Sequence, residues 1–110
     1  MSADRPLHRG EVWWVAFDPA IGGEIRKTRP AVIVSNDAAN RIQVILLTSN
    51  VARLYPSEAY VRVRGQQRKA MADQLSTISK LRLRERIGRI GREDMLAIER
   101  ASCTQLDLPT

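Results

Sequence analysis

Gln43-Val44-Ile45-Leu46-Leu47-Thr48-Ser49 holds an unbroken aliphatic stretch from Val44 to Leu47 with no polar alternation. A short apolar run of this kind, rich in β-branched residues, is the pattern of a strand buried on both faces. Such a strand needs a hydrogen-bonded neighbour on each edge and apolar cover on each side. The rest of the chain is read against that demand. Pro30-Ala31-Val32-Ile33-Val34-Ser35 is β-branched and begins with a proline where a strand tolerates one, so it is the natural partner. Ser35-Asn36-Asp37-Ala38-Ala39-Asn40 supplies the turn between the two.

Further strands follow from alternation. Arg9 to Phe17 sets Val12, Trp14 and Ala16 on one face and Glu11, Trp13, Val15 and Phe17 on the other. Adjacent tryptophans on a strand face opposite sides, so one ring belongs to the core and the other to an interface or stacking surface. Tyr60-Val61-Arg62-Val63-Arg64 points Val61 and Val63 inward and Tyr60, Arg62 and Arg64 to solvent. Lys69–Leu75 and Arg84–Ile90 read as two more strands, joined through a short helical turn within 79–83. Between the first two strands, residues 18–29 combine turn formers with a charge cluster, the composition of an exposed loop. From Gly91 onward the period becomes helical: Met95, Ile98, Ser102 and Leu106 recur on one side, and Glu93 and Asp94 occupy the first turn, where the helix dipole favours anions. A C-terminal helix of about four turns is expected, with Leu106 and Leu108 as its apolar end. The fold class is therefore mainly β with a C-terminal helix (α+β), a strongly bent sheet or open barrel capped by that helix. The expected organisation is a flexible tail over residues 1–8 and a single domain over 9–110, since 110 residues leave room for one core.

Composition narrows the chemistry. The formal net charge is +6, and 15 of the 18 basic residues are arginine, against Lys27, Lys69 and Lys80. Guanidinium groups grip phosphate in a bidentate way and stack on bases, so nucleic acid leads the candidate partners, ahead of an anionic surface or an acidic protein. Cys103 is the single cysteine and His8 the single histidine. Neither a disulfide, a thiolate cluster nor a histidine acid/base pair can be assembled from one chain, and no metal or cofactor is expected. Cys103 reads as an ordinary helix residue and His8 as a solvated residue of the tail. The longest aliphatic run is far short of the roughly 20 residues that cross a bilayer, and residues 1–6 are polar with no leader-like stretch behind them, so a cytoplasmic, membrane-free protein is expected.

Four segments in order, Arg9-Gly10-Glu11-Val12-Trp13, Thr28-Arg29-Pro30-Ala31-Val32-Ile33-Val34-Ser35-Asn36, Leu47-Thr48-Ser49-Asn50 and Asp73-Gln74-Leu75-Ser76-Thr77-Ile78, resemble the MazF/PemK family of toxin endoribonucleases. The likeness runs over roughly residues 9 to 108. It implies a small SH3-like open barrel of the MazF/PemK/CcdB type, a homodimer, an endonuclease acting on single-stranded RNA, and inhibition by a cognate MazE-like antitoxin. By position, Arg29 matches the catalytic arginine, Thr48 the catalytic hydroxyl and Glu24 a loop acid. Lys27, Thr28, Ser49, Asn50, Arg62, Arg64 and Gln74 are the residues expected to meet the RNA. Asp73 departs from the family's common glutamate.

The chemistry agrees on independent grounds. RNA is cut when its own 2′-hydroxyl attacks the adjacent phosphate, so a protein need only orient the strand, help move protons and stabilise the crowded phosphorane. Arg29 offers forked donors to the non-bridging oxygens, and Thr48 a hydroxyl at the end of a rigid strand. The expected products are a 2′,3′-cyclic phosphate and a 5′-hydroxyl, with arrest of translation and growth as the consequence. Taken singly, Arg29 and Thr48 are also an ordinary loop arginine and strand-end threonine, and Arg62 and Arg64 an ordinary solvated face. Two other classes remain open: a non-enzymatic toxin on the same barrel that poisons DNA gyrase, and an RNA-binding module without turnover.

Overall fold

The computed structural model describes residues 7–17, 28–37 and 40–109. They form strands β1 (Glu11–Ala16), β2 (Thr28–Ile33), β3 (Arg41–Thr48), β4 (Glu58–Val63), β5 (Gln66–Ser79) and β6 (Leu83–Arg89), then helix α1 (Arg92–Leu106). A single 3-10 turn, Lys80–Arg82, links β5 to β6, inside the segment where the sequence calls for one. The described strands make one six-stranded antiparallel sheet in the order β4-β5-β3-β2-β1-β6, curled into a half-barrel.

β3 is the doubly buried strand that its sequence demands. Ile45 and Leu47 join Val12, Val32, Val61 and Ile98 in one core, which α1 covers with Ile98 and Ala101. Ile42 and Val44 point the other way, into a second core with Val15, Ala31, Ile33 and Ile78. None of these β3 side chains is more than 1% exposed. Each buried aliphatic side chain contributes about 1.5–3 kcal/mol, so β3 anchors both layers.

β1 splits as its alternation predicts. Val12 enters the first core, while Val15 enters the second, with Trp13 and Phe17 packed against it. Trp13 Nε1 donates to Glu11 Oε1 at 3.0 Å, which fixes the ring, and Trp14 is half-buried on the opposite side. The strand itself is shorter than expected. Gly10 sits at φ 92 and is a junction rather than a strand residue, its N–H donating to Ile33 O and its carbonyl accepting from Ile90 N.

Five features differ from the sequence reading. Thr28 and Arg29 belong to β2 rather than to the preceding loop, because they pair with Ala16 and Val15 of β1. β5 is one 14-residue strand, since Gln66–Met71 forms a hairpin with β4 while Leu75–Ser79 pairs with β3. Its register against β3 slips between Ile45↔Leu75 and Leu47↔Ala70, and that irregularity bends the sheet. Arg64 is not on the wet face of β4: with Gly65 it forms the two-residue turn to β5, both at positive φ (52 and 80), as a type I′ hairpin requires. Leu106 and Leu108 are more than half exposed, because the core-facing stripe of α1 stops at Ala101 and Asp107 ends the helix in the left-handed conformation. Leu7, within the stretch read as a tail, packs against the second core and donates its N–H to Asp37 Oδ2 at 2.7 Å.

Candidate functional site

Opposed residues on antiparallel strands point to the same side of a sheet, so the pairing register shows which side chains converge. Arg29 pairs with Val15 of β1, and Thr48 with Lys69 of β5, which in turn pairs with Tyr60 of β4. β2 and β3 pair as Ala31↔Leu46, Val32↔Ile45 and Ile33↔Val44. Continued by two residues, that register sets Arg29 opposite Thr48, so Val15, Arg29, Thr48, Lys69 and Tyr60 form one row across five strands. The row lies on the second-core side, beyond the apolar residues Ala31 and Leu46. Arg29 and Thr48 are half-buried, Thr28, Ser49 and Asn50 exposed. The polar ends of two central strands thus emerge together at the rim of an apolar-backed surface, with a guanidinium and a hydroxyl side by side.

Local chemistry shapes the chain after Thr48. Its Oγ1 accepts from Asn50 N at 3.2 Å, and Asn50 Oδ1 accepts from Ala52 N at 3.3 Å. These side-chain turns take the backbone out of the strand. The connection to β4 is then fastened from below. Tyr60 Oη donates to Val51 O at 2.9 Å, and Lys69 Nζ donates to Arg53 O at 2.7 Å while pairing with Glu58 Oε1 at 3.0 Å. Neither Glu58 nor Lys69 stands out in the sequence as functional. The one available signal is a lysine leading an apolar strand, Lys69-Ala70-Met71-Ala72, on the face opposite the two alanines.

The other residues expected at the site distribute unevenly. Gln74 is exposed and lies inside the register slip between Ile45↔Leu75 and Leu47↔Ala70, next to Leu75. Arg62 is exposed one step beyond Tyr60 on the same face of β4, with Nη1 donating to Gly65 O at 3.0 Å. Arg64 stands apart in the hairpin turn, its Cγ close enough to Gly88 to touch a Cβ placed there, at 3.3 Å. Glu24 and Lys27 lie outside the described residues. His8 is exposed and its carbonyl accepts from Glu11 N at 3.1 Å. Among the described residues no three His, Cys, Asp or Glu side chains are gathered as metal ligands, and no helix is long and apolar enough to cross a membrane.

Residues 8–106 match the family model described as PemK-like, MazF-like toxin of type II toxin-antitoxin system. The chain is 38% identical to Endoribonuclease MazF9 of Mycobacterium tuberculosis over 115 residues, covering 93% of this chain and 98% of that protein. Its fold superposes on an endoribonuclease from a mycobacterial species with a TM-score of 0.79 at 22% identity, covering 96% of each chain. It also superposes on a MazE–MazF structure from Deinococcus radiodurans with a TM-score of 0.75 at 21% identity, covering 96% of this chain and 100% of that one.

Proposed function

The chain belongs to the PemK-like, MazF-like toxin family of type II toxin–antitoxin systems, and on that premise we propose that it is an endoribonuclease that cuts single-stranded RNA at the Arg29–Thr48 end of the sheet. The observation carrying this reading is the β2–β3 register, which, continued two residues past Ala31↔Leu46, sets Arg29 opposite Thr48. The substrate contributes the nucleophile: its 2′-hydroxyl gives up its proton to solvent as the 2′-oxygen forms a bond to the adjacent phosphorus, the P–O5′ bond breaks, and the departing 5′-oxygen takes up a proton. Negative charge grows on the non-bridging oxygens as the phosphorane forms. Arg29 meets that charge with forked donors, and Thr48 holds one oxygen by its hydroxyl. Arg29 also serves the leaving oxygen as a proton donor, with Glu24 as its acidic partner. Thr28, Lys27, Ser49, Asn50 and Gln74 flank the cut, Arg62 extends the basic track along β4, and Arg64 adds its charge from the hairpin turn beyond it.

The same premise makes the functional unit a two-fold homodimer, held in the cytoplasm by an acidic antitoxin segment that folds over the basic site. Released from it, the enzyme cuts messenger RNA and arrests translation and growth. The test is incubation of the purified chain with single-stranded RNA in excess chelator. Fragments ending in a 2′,3′-cyclic phosphate and a 5′-hydroxyl are expected. Intact RNA, or RNA protected from other nucleases, points instead to a binding module or to a toxin aimed at gyrase.

A further inference from the structure

Lys69 is a charged residue in an unusual place. It is 6% exposed, in the cross-strand row beside Thr48, and its partner Glu58 lies one diagonal step away on β4. A buried ion pair gains little net stability over apolar residues of the same size, since both charges lose their water. Its contacts point to another use. Both members of the pair reach the chain that leaves Thr48: Lys69 Nζ donates to Arg53 O at 2.7 Å and lies 5.7 Å from the Tyr55 ring centroid, and Glu58 Oε1 accepts from Tyr55 N at 2.9 Å. Tyr60, next in the row, adds its bond to Val51 O. The segment that carries Ser49 and Asn50 is therefore tied, through three side chains, to β5, which flanks the Thr48 end of β3, and to β4 beyond it.

We propose that Lys69 and Glu58 are positioning residues, a buried clamp that fixes the 49–57 segment and with it Thr48, Ser49 and Asn50 against the reacting phosphate. This rests on the reading of Thr48 as part of the cleavage site. An ammonium suits the task, because one Nζ donates simultaneously to a carbonyl and a carboxylate, which a methionine of the same length cannot do. Misplacing a phosphate-holding group by about 1 Å costs on the order of a hundredfold in rate, so a slack clamp should slow cleavage without preventing RNA from binding.

The double variant Lys69→Met/Glu58→Gln removes both charges together, and so avoids leaving one buried and unpaired. Its thermal midpoint should stay near that of the parent chain, whereas Lys69→Met alone should lower it. Despite that recovery, single-turnover cleavage at saturating RNA should fall at least tenfold, with RNA affinity within about threefold of the parent. Amide hydrogen exchange over Val51–Tyr55 should quicken at least tenfold. Should the double variant lack a cooperative transition, Glu58→Gln alone, which keeps an oxygen in place, should show the same changes in smaller measure. A folded variant that cleaves within twofold of the parent, or whose Val51–Tyr55 amides exchange at the parental rate, overturns the clamp. A parent chain that leaves RNA intact, or a Thr48→Ala chain that cuts at full speed, overturns the reading of the site instead, and the exchange measurement still decides the clamp.

Discussion

Continued two residues past Ala31↔Leu46, the β2–β3 register sets Arg29 opposite Thr48, on the face of the sheet that carries Ala31 and Leu46 further in. Both belong to central strands, so neither has to be brought in by a loop. The sheet that holds them is paired on every side: β1 flanks β2 at Val15, and β5 flanks β3 at Lys69. Side chains on strands paired in this way are held in place by the sheet, the condition that electrostatic stabilisation of a transition state requires.

Arg29→Ala should cost about 3–4 kcal/mol of transition-state stabilisation, the scale of one lost oxyanion donor. Arg29→Lys should recover little of it, because the fork is lost. Single-turnover cleavage of an oligonucleotide with one cleavable ribonucleotide checks both. An Arg29→Ala chain cutting at the parental rate would remove Arg29 from the chemistry.

Thr48→Ser keeps the hydroxyl and should retain most of the activity, whereas Thr48→Ala should lose cleavage, though less than Arg29→Ala. The alanine variant also loses the acceptor for Asn50 N. His8→Ala should match the parent, since His8 is exposed and only its backbone is engaged. A large loss in His8→Ala would point to an acid/base role that the site as described does not contain.

RNA affinity should fall steeply with salt, because a chain of net charge +6 binding a polyanion releases counterions. Arg62→Ala should reduce the slope of log affinity against log salt by about one contact's share, roughly 0.7 on a single strand. Arg64→Ala should change it less, as the turn carries Arg64 away from the face it would occupy on a continuing strand. Filter binding of uncleavable RNA across a salt series measures both, and an equal effect of the two arginines would contradict this geometry.

Ile98→Ala should destabilise the fold by about 2–5 kcal/mol. Ile98 is 1% exposed and joins the helix to the core built by Val12, Val32 and Ile45. Denaturant unfolding gives the number directly. A loss below about 1 kcal/mol would mean that α1 does not seal this core.

The sequence by itself determined the secondary-structure menu and the chemistry available. The unbroken run Val44–Leu47 set a strand buried on both faces, the alternation in β1 divided Val12 from Val15, and the change of period after Gly91 marked the helix. The order of short motifs also picked out Arg29 and Thr48, because spacing along a chain survives whatever the fold does between them. Tertiary structure decided the rest, since pairing partners distant in sequence are set by register. Thr28 and Arg29 look like loop residues until β1 pairs with them, and Ser76–Ser79 joins β5 only because β3 lies alongside. Arg64 reads as one more strand residue until the hairpin must turn, which takes positive φ at both central positions. The Lys69–Glu58 pair was invisible for the same reason: its contacts are the carbonyl of Arg53 and the N–H of Tyr55, brought within hydrogen-bond reach only by the pairing of β4 with β5 and of β5 with β3.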